Sequence, residues 1–149
     1  MSRTSFVLLA VLTIAGCRLA EHEAVIKPLP EGPSYTYQDL LVRTRAQAMA
    51  GVEAFYVDAW ADLADAAAAL EQSSRFLPKT TQIPDALKDK LGAETEQLRQ
   101  DAMKLGDAAR AKDARAANDA LQRINLRIRE LRVEDKTPPP VPPKALSTN

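Results

Sequence analysis

Along residues 36–77, apolar or small residues recur at steps of three and four: Leu41, Ala48, Val52, Phe55, Ala59, Leu63, Ala66, Leu70 and Leu77. Arg45 and Ser74 are the two polar members of the same stripe. This is the period of one helix face, not the alternation of a strand. Thr36 and Asp39 have the spacing of an N-terminal cap pair, and Pro78 closes the run. No proline interrupts the segment, and Gly51 is its one weak point. The unbroken stripe favours a long first helix, roughly 60 Å at 1.5 Å per residue.

Pro84 suits the start of a second helical segment, with Leu87, Leu91, Leu98, Ala102 and Leu105 facing inward. Gly106 is placed to close it in a left-handed conformation and Asp107 to cap the next helix. In the last segment Ala114, Ala117, Leu121, Ile124, Ile128 and Leu131 repeat with a seam-like spacing that packs against neighbouring helices. The later helices reach only about 35 Å, so a 60 Å helix overhangs them. Either the chain bends near Gly51 and forms an up-down four-helix bundle, or a second molecule covers the overhang. The fold class is all-α: an antiparallel helical bundle over residues 36–134 with a long first helix, three long helices in all, or four if it breaks near Gly51.

Composition agrees, being rich in Ala, Leu, Arg and Asp and poor in aromatics. The 149 residues suit one domain, and 20 basic side chains balance 20 acidic ones, which gives no reason to expect nucleic acid as a partner. The balance is uneven along the chain. Residues 36–77 carry six acids and three Arg, while residues 108–134 carry seven basic groups and four acids. The acidic first segment is therefore expected to flank the basic last one with exposed ion pairs, each contributing about 0–1 kcal/mol.

Arg3, then ten mostly apolar residues 6–15, then small residues before Cys17, have the order of a secretory signal too short to span a bilayer. Ile14-Ala15-Gly16-Cys17 resembles the bacterial lipobox. The resemblance implies that residues 1–16 are removed and that Cys17 receives a diacylglyceryl group and a further acyl chain of the palmitate kind. It also implies, because Arg18 and not Asp follows the cysteine, an outer-membrane anchor facing the periplasm. Several acyl chains hold a protein nearly permanently, at about 0.8 kcal/mol per buried CH₂. Cys17 is then an anchor and not a catalyst. Residues 17–35, with Pro28, Pro30, Gly32 and Pro33, are expected to form an extended tether that lifts the domain off the lipid. Residues 135–149 form a proline-rich tail with five prolines between 138 and 143.

Candidate chemistry is sparse. Asp58, Asp62 and Asp65 fall at i, i+4 and i+7 and would share one helix edge, suited to a hard cation or to pairing with the basic last helix. His22, the single histidine, lies in the tether, where a general base lacks fixed geometry. No Ser-His-Asp set, phosphate loop or His-rich metal motif is present. Met49, Met103, Phe55, Tyr56 and Trp60 read as core filler.

The segment GDAARAKDARAANDALQRINLRIRELR, residues 106–132, resembles the last helix of the cytochrome c-prime superfamily. There a Gly-Asp turn leads into an Ala-rich helix ending in Cys-x-x-Cys-His-x-x-Tyr-Arg. The family's cysteine positions fall on Ile124 and Arg127, its haem-ligating histidine on Ile128, and its closing pair on Leu131 and Arg132. The resemblance implies a bundle whose cofactor space is filled by Leu and Ile, with no haem or other cofactor expected.

Together these readings describe a membrane-anchored, non-enzymatic envelope lipoprotein, a helical bundle with a scaffolding or protein-interaction role. Its partners would be the bilayer through Cys17 and another protein or a second copy. The rival reading is a periplasmic metal- or small-ligand-binding sensor using the three aspartates. Intact-mass measurement of native protein is expected to find Cys17 first and diacylated on sulfur, and Cys17→Ser is expected to leave the membrane fraction; an unmodified terminus elsewhere contradicts this.

Overall fold

The structure, a computed structural model, describes residues 25–30 and 34–132. Cys17, His22, the signal segment and the proline-rich tail lie outside the described residues. Four α-helices are present among those described: α1 (Tyr37–Tyr56), α2 (Trp60–Phe76), α3 (Leu91–Ala111) and α4 (Ala114–Glu130). Two 3-10 turns, Leu77–Lys79 and Asp85–Leu87, lie in the α2–α3 connection. The expected all-α antiparallel bundle is the fold, in its four-helix form.

The long first helix is not. The stripe breaks at Val57, Asp58 and Ala59, seven residues beyond Gly51, where Asp58 takes φ 55°. The Ala59 amide donates to Ala54 O at 2.9 Å and the Asp58 amide to Phe55 O at 3.3 Å. These two bonds satisfy carbonyls that the helix end leaves open, the Schellman arrangement. The next connection at this end repeats it. Lys112 has φ 52°, its amide donates to Ala109 O at 3.1 Å, and the Asp113 amide donates to Ala108 O at 2.9 Å. Asp113 then caps α4 by accepting from the Ala116 amide at 3.0 Å. Gly106 and Asp107 are therefore not the turn; α3 runs through them. Gly106 is buried inside α3, where a Cβ would meet the Ala67 Cβ at 3.7 Å. Gly51 is likewise a contact point, with Ala66 and Leu121 each 3.6 Å from the place of its missing Cβ.

The N-terminal cap is as expected. Thr36 Oγ1 accepts from the Asp39 amide at 3.1 Å and donates to Asp39 Oδ2 at 2.6 Å. Pro78 lies in the 3-10 turn that follows α2. Pro84 opens a 3-10 turn and not α3 itself, which begins at Leu91.

The core is a leucine ladder. Leu63, Leu70 and Leu77 from the α2 side and Leu91, Leu98 and Leu105 from α3 repeat every seven residues and are nearly fully buried. Leu40, Ile124 and Leu131 complete it. Each such side chain contributes about 1.5–3 kcal/mol by leaving water. Ala66, Ala67, Ala102 and Ala109 are buried with Gly106, so small side chains let the helices approach closely. The α2–α3 and α3–α4 contacts are broad, and the α1–α4 contact is the thinnest of the helix pairs in sequence around the bundle.

At the opposite end from the two turns, the chain's entry and exit are joined. The Tyr37 hydroxyl, buried, donates to Leu131 O at 2.6 Å, and burial pushes its phenol up to about 12. Tyr37 N–H also donates to Thr81 O at 2.9 Å, and Thr81 N–H donates to Tyr35 O at 2.9 Å.

Because Asp58 and Lys112 hold left-handed backbone that costs a side-chain-bearing residue about 1 kcal/mol or more, Asp58→Gly and Lys112→Gly are each expected to raise stability by about that amount. Chemical denaturation checks this, and a loss of stability in both would contradict the turn geometry.

Candidate functional site

Three features stand out from the fold. The first is a strap. Residues 25–30, expected to belong to an extended tether, lie along the α1–α2 groove, and Val25 and Ile26 are helical before the chain straightens toward Leu29. Leu29 is buried, its amide donates to Gln72 Oε1 at 2.8 Å, and Gln72 Nε2 donates back to Leu29 O at 3.2 Å. Gln47 Nε2 donates to Val25 O at 3.1 Å, and Arg43 donates to Lys27 O. Gln47 is itself held from below, since Ser73 Oγ donates to its Oε1 at 2.8 Å. A primary amide carries both N–H donors and a carbonyl acceptor, so Gln72 can replace a neighbouring strand's backbone for Leu29. The bundle thus holds this segment through its backbone and one leucine.

Beyond the strap the same groove continues as a cleft of about 810 Å³. Its walls include Ala50, Ala54 and Ala69, with Asp62, Asp65 and Glu71 facing Lys27 and Arg75. The sequence-predicted aspartates are only partly brought together here. Asp58 sits in the turn, outside α2, so the single-helix edge expected of Asp58, Asp62 and Asp65 does not form. Among the described residues no group of three His, Cys, Asp or Glu is disposed to hold a metal ion.

The basic last helix pairs elsewhere than expected. Arg123 Nε lies 2.8 Å from Asp101, a buried carboxylate on α3, and Arg127 lies 3.5 Å from Glu94. The acids of α3, not those of the first segment, complement α4. Across α2 and α3, Arg99 bridges Glu96 at 2.8 Å and Glu71 at 3.8 Å. The hydrogen bond from Arg99 holds the Glu96 carboxyl down to about 2.

The second feature is an outward stripe on α1. Met49 is 72% exposed, not core filler, and Val42 and Tyr56, seven residues to either side, are 51% and 79% exposed. Met103, also expected inside, is 48% exposed. Ala46, Met49, Val52 and Glu53 of α1 line a shallow cleft with Asn125 of α4. The heptad spacing of Val42, Met49 and Tyr56 was present in the sequence but lay hidden behind the stronger inward stripe of the same helix.

The third feature is an aromatic tip at the α1–α2 turn. Phe55 stacks edge-on with Tyr56 at 5.9 Å and with Trp60 at 6.2 Å. Phe55 and Trp60 are half-buried, whereas Tyr56 and Val57 project into solvent. The positions that the cytochrome c-prime resemblance assigns to haem attachment are packed or paired: Ile124 and Ile128 belong to the core, and Arg127 is the partner of Glu94. Among the described residues no helix is long and apolar enough to cross a membrane. No protein family, characterised protein or solved structure matches the chain.

Gln72→Ala removes both hydrogen bonds to Leu29 at a net cost of about 1 kcal/mol each. The Leu29 amide is expected to exchange with solvent at least roughly tenfold faster while the α3 amides keep their protection; equal exchange in the two proteins would show that the strap is held without Gln72.

Proposed function

We propose that this chain is an envelope lipoprotein, lipid-anchored through Cys17 in the outer membrane and facing the periplasm, whose helical bundle scaffolds or binds another protein and performs no chemistry of its own. The observation that carries the interaction role is the α1 stripe of Val42, Met49 and Tyr56, three large side chains turned outward at heptad spacing. Such a seam fits the apolar face of one further helix, and the partner it calls for is an envelope protein presenting an amphipathic helix. The lipobox-like IAGC supports the anchor. The cytochrome c-prime-like reading extends the proposal to a haem-less bundle of that kind, supported by Ile124 and Ile128 filling the core.

The sensor reading has less support, because Asp58 stands apart from Asp62 and Asp65. Cross-linking in intact cells from position 49 is expected to capture a neighbouring protein, and Val42→Glu with Tyr56→Glu to abolish the adduct at unchanged helical content. A cross-link indifferent to these changes contradicts the interaction role; capture of a second copy would replace the foreign helix by self-association. Turnover of a substrate by the purified protein would remove the non-enzymatic reading.

A further inference from the structure

We infer that the α1–α2 turn, through Tyr56, Val57 and Trp60, rests in the interfacial layer of the same phospholipid bilayer that carries the anchor; this rests on the lipid-anchor reading of Cys17. The strap gives the direction. Val25 lies by Gln47 and the later Lys27 by the earlier Arg43, so the strap runs antiparallel to α1. Traced backward from Lys27 to Val25, it climbs toward Tyr56.

Reach agrees with direction. Tyr56 stands nine residues above Gln47, about 13 Å along the helix axis. Eight residue steps separate Val25 from Cys17, a span of at most about 27 Å. That span is long enough for Cys17 to lie level with the turn. The far end, about 15 Å from Gln47 along the same helix, lies within the same span, so the direction of Val25–Lys27 and the character of the two ends, not reach, favour the turn.

The two ends differ in what they offer a membrane. The far end exposes Thr81, Gln82, Asp85, Lys88, Asp89 and Lys90 with the small Pro78 and Ala86, and its Tyr35, Phe76 and Ile83 are half-buried, so among the described residues no large apolar side chain projects there. The near end exposes Tyr56 at 79% and Val57 at 67%, with Trp60 beside them. Tyrosine and tryptophan combine an apolar body with a polar tip and gather at bilayer interfaces for that reason. The charged groups at this end are of both signs, with Asp58 and Asp62 on one turn and Arg110, Lys112 and Arg115 on the other. Attraction to an anionic surface is not required, and a zwitterionic one suffices.

The chain's single tryptophan, Trp60, is a built-in reporter. The full acylated chain is reconstituted into phosphatidylcholine vesicles with and without bromine on the acyl chains near the glycerol. About a twofold loss of Trp60 emission is expected on bromination, as befits an interfacial indole. Tyr56→Ser with Val57→Ser, both at exposed positions, is expected to abolish the loss while the protein still floats with the vesicles. Moving the reporter to the bundle's flank, by Trp60→Phe with Met49→Trp, is expected to give no quenching. Protein that floats with the vesicles at unchanged Trp60 emission overturns the inference and leaves the anchor standing, as does equal quenching from the flank. Protein that carries no lipid by mass and stays in the aqueous phase overturns both.

Discussion

At one end of the bundle, two helices stop in the same way: a pair of backbone amides reaches back across a residue held in left-handed conformation. At Asp58 and again at Lys112, the helix end keeps its carbonyls satisfied while the chain reverses. The consequence is one of length. Four helices of 17–21 residues replace one long and two short ones, so each spans about 25–32 Å and none overhangs its neighbours. A single chain can then bury the whole inward stripe, and no second molecule is needed to cover it. The same reversals place Tyr56, Val57 and Trp60 at a corner, where aromatic side chains project beyond the ends of the leucine ladder.

Once the helices match in length, two kinds of contact hold them. Leucines seven residues apart on α2 and α3 supply bulk, and Ala and Gly between them permit close approach. The hydroxyls of Thr44 and Ser73 and the Asp101 carboxylate enter this interior with partners. Thr44 donates to Leu40 O at 2.7 Å, Ser73 to Gln47, and Arg123 meets the buried Asp101. An unpaired buried carboxylate costs far more than a hydroxyl, so the Arg123–Asp101 pair fixes how α3 and α4 register more than it adds net stability. Gln47 joins the interior to the strap, which makes the strap's seat an extension of the core and not a chance surface contact.

Much of this was legible in the chain. The helical period, the Thr36–Asp39 cap, Pro78 and the seam from Ala117 to Leu131 rest on local spacing, and local spacing survives folding. The turns were not legible, because neither contains the residue that ordinarily signals one. Gly106 and Gly51, the glycines that invited a break, are spent instead on close helix contacts, where a missing Cβ matters more than a free φ. Met49 misled for a related reason. One helix carries two apolar stripes, and only tertiary contacts tell which faces inward. The strap depends on Gln72, more than forty residues away from Leu29, and no window of sequence contains both. The proposed anchor is the reverse case: Cys17 is conspicuous in the sequence and lies outside the described residues.

The bond between Tyr37 and Leu131 brings the beginning of the first helix against the end of the last. In mechanical terms, the bundle's two chain ends form a closed loop of load. Were the N-terminus held at a membrane, as proposed, a pull against the C-terminal side would first peel the strap from Gln47 and Gln72 and then strain this one buried contact. The helices themselves lie behind that latch, shielded from tension until it parts. A protein moored on one side and engaged on the other would thus yield in steps, with its leucine interior the last part to feel the force.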